Sequence, residues 1–221
     1  MQVILKPCYT IDKETQKDLI MSASKPYQPL LFRLLHGLNS LLVFGCIITG
    51  YLVYESYDRR FGTLWLIPED SNLIDIHGTW GFFLFFMALA FTYYSLRRGK
   101  KRLIQPDTLA QLKRTTQPIW WYTLHRITNT IALLALALAV ISGKFQDENW
   151  LRVGETHHLS YNIHLLAWAI MIVAIALHVL MAARVGGVPL LLSMANSQIK
   201  SSDHPRLWWG NLRNWLKHPR I

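Results

Sequence analysis

The sequence predicts an all-α membrane protein, a bundle of four transmembrane helices with both termini in the cytoplasm. Hydrophobic residues make up 52% of the 221 positions and charged residues only 16%, which indicates one membrane domain. Lys and Arg fall in three blocks, with five up to position 33, eight at positions 97–126 and six from position 184 onward. The intervals between the blocks hold only Arg59, Arg60, Lys144 and Arg152. Four crossings under the positive-inside rule give this alternation. The charge distribution therefore argues against nucleic acid as a partner.

Each block borders an apolar run long enough to cross a hydrocarbon core of about 30 Å as a helix. The four predicted transmembrane helices cover residues 30–54, 74–96, 122–142 and 162–184. Pro26 and Pro29 precede the first, which suits a helix start. Trp120, Trp121 and Tyr122 form an aromatic belt at the start of the third.

The same pattern divides the chain into three parts. Residues 1–29 form a cytoplasmic tail without the apolar core of a signal peptide. Residues 30–184 form the membrane domain. Residues 185–221 carry Trp208, Trp209 and Trp215 among basic residues and are predicted to be a cytoplasmic interfacial segment. Membrane lipid is thus an expected partner of both the helices and this segment.

Histidines within the apolar runs are the candidate functional residues. His164 and His178 lie 14 residues apart in the fourth run. In a helix they are roughly 21 Å apart along the axis and within about 40° of the same face. Ionisable side chains inside a membrane are costly and usually functional, and neutral imidazole is a common metal ligand. Two haem irons, one near each membrane surface, explain this pair.

The depth of the other histidines in the membrane predicts the candidate partners of His164 and His178. Four antiparallel crossings place His77 with His164 toward the outer face, and these two form the outer pair. They place His178 toward the cytoplasmic face, where either His36 or His125 can be its partner. Cys8 and Cys46 belong to no C-x-x-C-H motif, so any haem is b-type and held without a covalent bond.

The positions of further polar residues in the predicted helices suggest roles for them. Arg33 lies one turn before His36 and is expected to meet haem propionates or lipid phosphates. His125, Arg126 and Asn129 are expected to form a polar pocket in which a side chain hydrogen-bonds a quinone carbonyl. His157 and His158 fall in the second outer loop and are expected to be solvated.

Three stretches of the sequence resemble a known family. RLLHGLNSLLVFGCIITG resembles the first helix of the bacterial cytochrome b561 superfamily, which includes the membrane cytochrome b subunits of nickel-iron hydrogenases and formate dehydrogenases. IHGTWGFFLF is similar to its second-helix motif and HLLAWAIMIVAIALHVLMA to its fourth. The resemblance implies that His36 and His178 bind the cytoplasmic-side haem and that His77 and His164 bind the outer one. It also implies that quinone reacts near the cytoplasmic-side haem. His125 departs from the formate dehydrogenase pattern, which uses no third-helix ligand.

The function expected from these features is electron transfer between a redox partner and the quinone pool by a di-haem b-type cytochrome. Two alternatives stay open. One is a stand-alone superoxide:quinone oxidoreductase, and the other is a non-catalytic membrane assembly or structural subunit. The expected location is a bacterial inner membrane, and a cyanobacterial thylakoid membrane would give the same pattern.

Overall fold

The computed structural model describes residues 26–66, 72–146 and 156–217. Every regular element in these ranges is helical. The helices are α1 (Leu30–Tyr57), α2 (Asn72–Arg97), α3 (Thr108–Leu112), α4 (Pro118–Lys144), α5 (Leu159–Leu192) and α6 (Pro205–Lys217), with 3₁₀ turns at Lys100–Arg102 and Ser201–Asp203. Most of the predicted cytoplasmic tail and residues 147–155 of the second outer loop lie outside the described residues.

Four of these helices, α1, α2, α4 and α5, are long and apolar enough to cross a membrane among the residues described. The predicted all-α fold with four transmembrane helices is confirmed. The end of the bundle where α1 begins and α5 ends is called the inner end below, and the opposite end the outer end. Large apolar side chains remain exposed along the helices, for example Leu41, Phe82 and Leu180, as the lipid-facing surface of a membrane bundle requires.

The bundle consists of two helix pairs. α1 packs mainly against α2, and α4 packs mainly against α5, while fewer contacts join α2 to α4 and α1 to α5. A small apolar core of α1, α2, α4 and α5 side chains closes the middle of the bundle, with Leu42, Val43, Leu84, Ala88, Ala135, Leu136 and Met171 as its buried members. The histidines lie above and below this core, where the two pairs face each other.

Helix α5 extends past the predicted boundary at residue 184. It continues to Leu192 through a kink at Gly187, whose φ of 64° and ψ of −168° are non-helical, and Pro189 follows inside the same element. Proline removes a backbone donor and bends a helix. The chain therefore turns at the inner end of the bundle and does not simply end its helix at Arg184.

The segment after the kink folds back onto the start of α1. Asp203 accepts hydrogen bonds from the Tyr27 hydroxyl at 2.6 Å and from the Leu30 backbone N–H at 2.5 Å. Arg33 donates to the carbonyl oxygen of Gln198 at 2.8 Å. The carboxylate of Asp203 thus satisfies a free N–H of the first turn of α1. The following helix, α6, is strongly amphipathic, as an interfacial segment should be.

At the outer end the loop after α1 is fixed to α5. Asp58 accepts from the Tyr161 hydroxyl at 2.8 Å and forms an ion pair with Arg60 at 2.6 Å. Burial opposes ionisation of Asp58, but the hydrogen bonds from Arg60 and Tyr161 outweigh it and lower the pKa of this carboxyl. The loop exposes Phe61, and 76% of Trp65 is accessible, which is typical of aromatic residues at a membrane interface.

Candidate metal centres

The outer pair joins α2 to α5. The ring centroids of His77 and His164 lie 6.0 Å apart, with an angle of 76° between the ring planes. Both rings are half-buried. Because α2 and α5 belong to different helix pairs, the two imidazoles face each other across the junction between the pairs.

Hydrogen bonds fix the tautomer of both outer imidazoles. The Thr49 hydroxyl donates its proton to the Gly45 carbonyl at 2.8 Å, so it accepts from Nδ1–H of His77 at 2.9 Å. Nδ1 of His164 lies 3.0 Å from the Ala139 carbonyl oxygen, which only accepts. Each Nδ1 therefore carries the proton, and each Nε2 keeps the lone pair that a metal ligand needs.

Two glycines make room for these rings. A Cβ at Gly50 would lie 3.2 Å from Cε1 of His77, and a Cβ at Gly143 would lie 3.0 Å from Cε1 of His164. Both distances are tighter than ordinary van der Waals contact. Within each helix pair, the neighbouring helix thus approaches the imidazole with bare backbone and limits its rotation.

The inner end contains three histidines. The centroid of His178 lies 6.1 Å from that of His36 and 5.4 Å from that of His125. Nδ1 of His178 is 2.6 Å from Oδ1 of Asn129. Nδ1 of His36 has only a long contact of 3.5 Å to the Ser40 hydroxyl, and Phe32 and Phe91 lie against its ring, at 5.7 and 6.0 Å between centroids.

Both pairs have the spacing that bis-imidazole ligation requires. Metal–imidazole bonds of about 2 Å on opposite sides of one ion place the ring centres roughly 6 Å apart, and the observed separations are 6.0 and 6.1 Å. Within the described ranges no group of three or more His, Cys, Asp or Glu residues could hold a metal ion. Two imidazoles alone do not complete a coordination sphere, so the donor set fits a haem, whose macrocycle supplies the remaining nitrogens.

Of the three residues expected around quinone, His125 and Asn129 lie beside His178 and Arg126 lies beside Gln111. Asn129 faces His178. Arg126 contacts Gln111 at 3.4 Å and lines a cavity of about 370 Å³ together with Lys101 and Asp107. Nε2 of His125 is buried and has no hydrogen-bond partner among the described residues.

The other predicted polar residues are also placed. Arg33 is buried, with 6% of its surface accessible, and its guanidinium reaches the Gln198 carbonyl while Nε has no partner among the described residues. His157 and His158 precede α5, with ring centroids 4.4 Å apart. The structure thus brings together four of the predicted histidines as two facing pairs and places His125 beside the inner one.

Sequence reasoning missed the groups that orient the imidazoles. Thr49 and the Ala139 carbonyl hold the outer rings. A threonine in a transmembrane helix ordinarily bonds the carbonyl four residues earlier, as Thr49 also does, so the sequence offers no signal that its hydroxyl has a second partner. The role of a backbone carbonyl, such as that of Ala139, leaves no signal in the sequence.

The chain is similar to a known protein family over most of its length. Residues 27–197 match the family model of prokaryotic cytochrome b561. No match is found among curated proteins or among solved structures. The matched range contains all four transmembrane helices and all the paired histidines. The chain belongs to the prokaryotic cytochrome b561 family, whose members are membrane proteins that transfer electrons through b-type haem.

Proposed function

We propose that this chain is a di-haem cytochrome that moves electrons between a redox partner at the outer end and the quinone pool at the inner end. The observation that carries the proposal is the pair of facing imidazoles at each end of the bundle, with centroid separations of 6.0 and 6.1 Å. His77 and His164 would hold the outer haem, and His36 and His178 the inner one. When bound, haem iron supplies one-electron redox chemistry.

The protein's part is to hold the ligands and to exclude competing chemistry. With haem bound, the two imidazoles of each pair would hold the iron and would leave oxygen no place to bind. Two aromatic side chains, Phe32 and Phe91, lie against the His36 ring, and the apolar core separates the two histidine pairs. A water-poor shell of this kind sets the reduction potential together with the axial ligands. Electron transfer is therefore favoured over oxygen activation.

Quinone is proposed to react at the inner end beside His125. The unpaired Nε2 of this residue is a buried polar atom that needs a partner. A quinone carbonyl can supply that partner, and the imidazole can pass a proton to it when an electron arrives. An apolar groove of about 300 Å³ between α4 and α5, lined by Thr128, Ile131 and Leu177 among others, gives a lipid-soluble tail a path toward the same depth.

Electron exchange with a redox partner fits the outer end of the bundle better than a reaction with superoxide does. A superoxide site requires unpaired cations there to attract the anion. Of the three outer cations that the structure describes, Arg60 is paired with Asp58 at 2.6 Å, the Arg59 guanidinium lies over the Trp65 ring and Lys144 alone is exposed without such a contact. A single exposed lysine is a weak attractor for an anion. The redox partner is therefore proposed to be a separate protein.

Rapid reduction of the purified protein by a short-chain quinol tests the quinone site. His125→Ala should keep both haems and react at least about 100-fold more slowly, the size expected when a positioned proton-transfer group is removed. His157→Ala removes a histidine outside the pairs and should react like the wild type.

Either of two results would contradict this assignment. Unchanged quinol reactivity in His125→Ala would remove the residue from the quinone site. Loss of a haem in the same variant would make His125 an axial ligand.

A further inference from the structure

The side-chain amide of Asn129 links an inner imidazole to the loop between α2 and α4. Its Oδ1 lies 2.6 Å from Nδ1 of His178, and its Nδ2 donates to the carbonyl oxygen of Arg102 at 2.9 Å. A carbonyl oxygen only accepts, so the amide nitrogen must face Arg102 and the amide oxygen must face His178. Nδ1 of His178 therefore carries the proton, and its Nε2 keeps the lone pair.

Within the part of the chain that the structure describes, no other short bond of this kind occurs at the inner pair. The outer pair has two short acceptors, Thr49 at 2.9 Å and the Ala139 carbonyl at 3.0 Å. At the inner pair the contact between His36 and Ser40 is 3.5 Å, which is too long for a strong hydrogen bond. Asn129 is thus the only short Nδ1 acceptor at the inner pair among the described residues.

The same loop is anchored a second time without touching a histidine. The Ile104 backbone N–H donates to the Thr130 hydroxyl at 3.0 Å, and Thr130 follows Asn129 in α4. The Arg102 guanidinium lies 4.1 Å from the centre of the Phe32 ring, next to His36. The loop therefore spans from α4 to α1 across the inner end, and Asn129 connects its backbone to His178.

We propose that Asn129 is the positioning residue of the inner centre, fixing the tautomer and orientation of His178 and thereby setting the reduction potential of the inner haem. This inference rests on the proposed haem ligation and assigns Asn129 to His178 instead of to quinone. An acceptor at Nδ1 makes the imidazole a stronger donor to the metal. Stronger donation favours the oxidised iron, and hydrogen bonding to an axial ligand is one of the levers on potential.

Potentiometric titration and EPR spectroscopy of the full-length protein test the proposal. Asn129→Asp replaces a neutral acceptor by an anionic one and should lower the midpoint potential of the inner haem. The inner haem is identified as the one that persists in His77→Ala protein. Asn129→Leu removes the acceptor, so it should raise that potential, alter the low-spin EPR signal and weaken haem binding about 10–100-fold, as second-shell losses do.

Two controls separate the His178 bond from the loop and from the other centre. Thr130→Val breaks the second loop anchor and should leave both potentials unchanged. Thr49→Val should shift the potential of the other haem only.

Unchanged potentials and EPR signals in both Asn129 variants would overturn the proposal, as would a shift in Thr130→Val equal to that in Asn129→Leu. Failure of the underlying function is distinguishable, because the wild-type protein would then bind no haem. If Asn129 contacted quinone instead, the KM for quinol would change while both potentials stayed at their wild-type values.

Discussion

Individual imidazoles at the outer pair are held on two sides. Nδ1 of His164 lies 3.0 Å from the Ala139 carbonyl and 3.1 Å from the Ser142 hydroxyl. On the carbon edge of the ring, the missing Cβ of Gly143 leaves just enough space. The ring therefore cannot turn or slide without stretching these contacts, which is how a ligand is held ready for a metal.

Gly143→Ala tests this tight fit. The added methyl would lie 3.0 Å from Cε1 of His164, so the ring must move away from its hydrogen-bond acceptors. We expect outer-haem affinity to fall about tenfold, the lower end of the range for a disturbed second shell. The measurement is haem titration into the haem-free protein, followed by its absorbance.

Gly210→Ala is the matched control, since no atom lies within 4 Å of the added carbon. It should bind haem like the wild type. Inside a helix, alanine is favoured over glycine by roughly 0.5–1 kcal/mol. Replacing a helical glycine by alanine therefore does not in itself weaken folding, and weaker haem binding in Gly143→Ala alone would come from the contact with His164. Equal affinity in both variants would contradict the tight fit.

The residues that the sequence identified and those that it missed differ in kind. The histidines were recognisable because an ionisable side chain in an apolar run is costly, and the depths of His77 and His164 made them partners. Thr49 and Asn129 were not recognisable as ligand-orienting residues, because their roles depend on contacts with other helices. Of the three residues of the expected pocket, His125 and Asn129 lie four positions apart on α4 and both lie beside His178, whereas Arg126 lies beside Gln111. On a helix, residues 125 and 126 point in directions about 100° apart.

Among the helices, α5 contributes most to the two histidine pairs. It supplies one imidazole to each pair and then kinks at Gly187, so that the following segment reaches the start of α1. Hydropathy predicted the apolar part of this helix well, since a bilayer leaves few alternatives to a helix. It could not predict the continuation to Leu192 or the contacts of Asp203, which depend on a backbone turn and on tertiary packing.

Gly187→Ala tests the kink. A φ of 64° with a ψ of −168° is essentially restricted to glycine and costs about 1–3 kcal/mol for other residues. The variant should lower the thermal unfolding temperature and make the segment around Gln198 more sensitive to protease, while both haem spectra stay unchanged. Gly210→Ala again serves as the control. Wild-type stability and protease resistance in Gly187→Ala would show that the turn is not required.

The whole molecule is two helix pairs joined at their ends by facing imidazoles. Direct packing between the pairs is sparse compared with packing within them. In the proposed arrangement each haem is bound by one ligand from each pair, so the cofactors themselves would hold the bundle together. Charge along the chain predicted the number of crossings, and the depth of the histidines predicted which helices face each other at the outer end. At the inner end the sequence left two possible partners for His178, and both lie beside it.

Haem quantitation on the purified wild type and on single histidine variants tests the proposed di-haem ligation. We expect two b-type haems per chain in the wild type and one in each of His77→Ala and His36→Ala. The haem that survives in one variant should have the midpoint potential that is lost in the other. A wild-type chain with one haem or none, or the loss of the same haem in both variants, would contradict it.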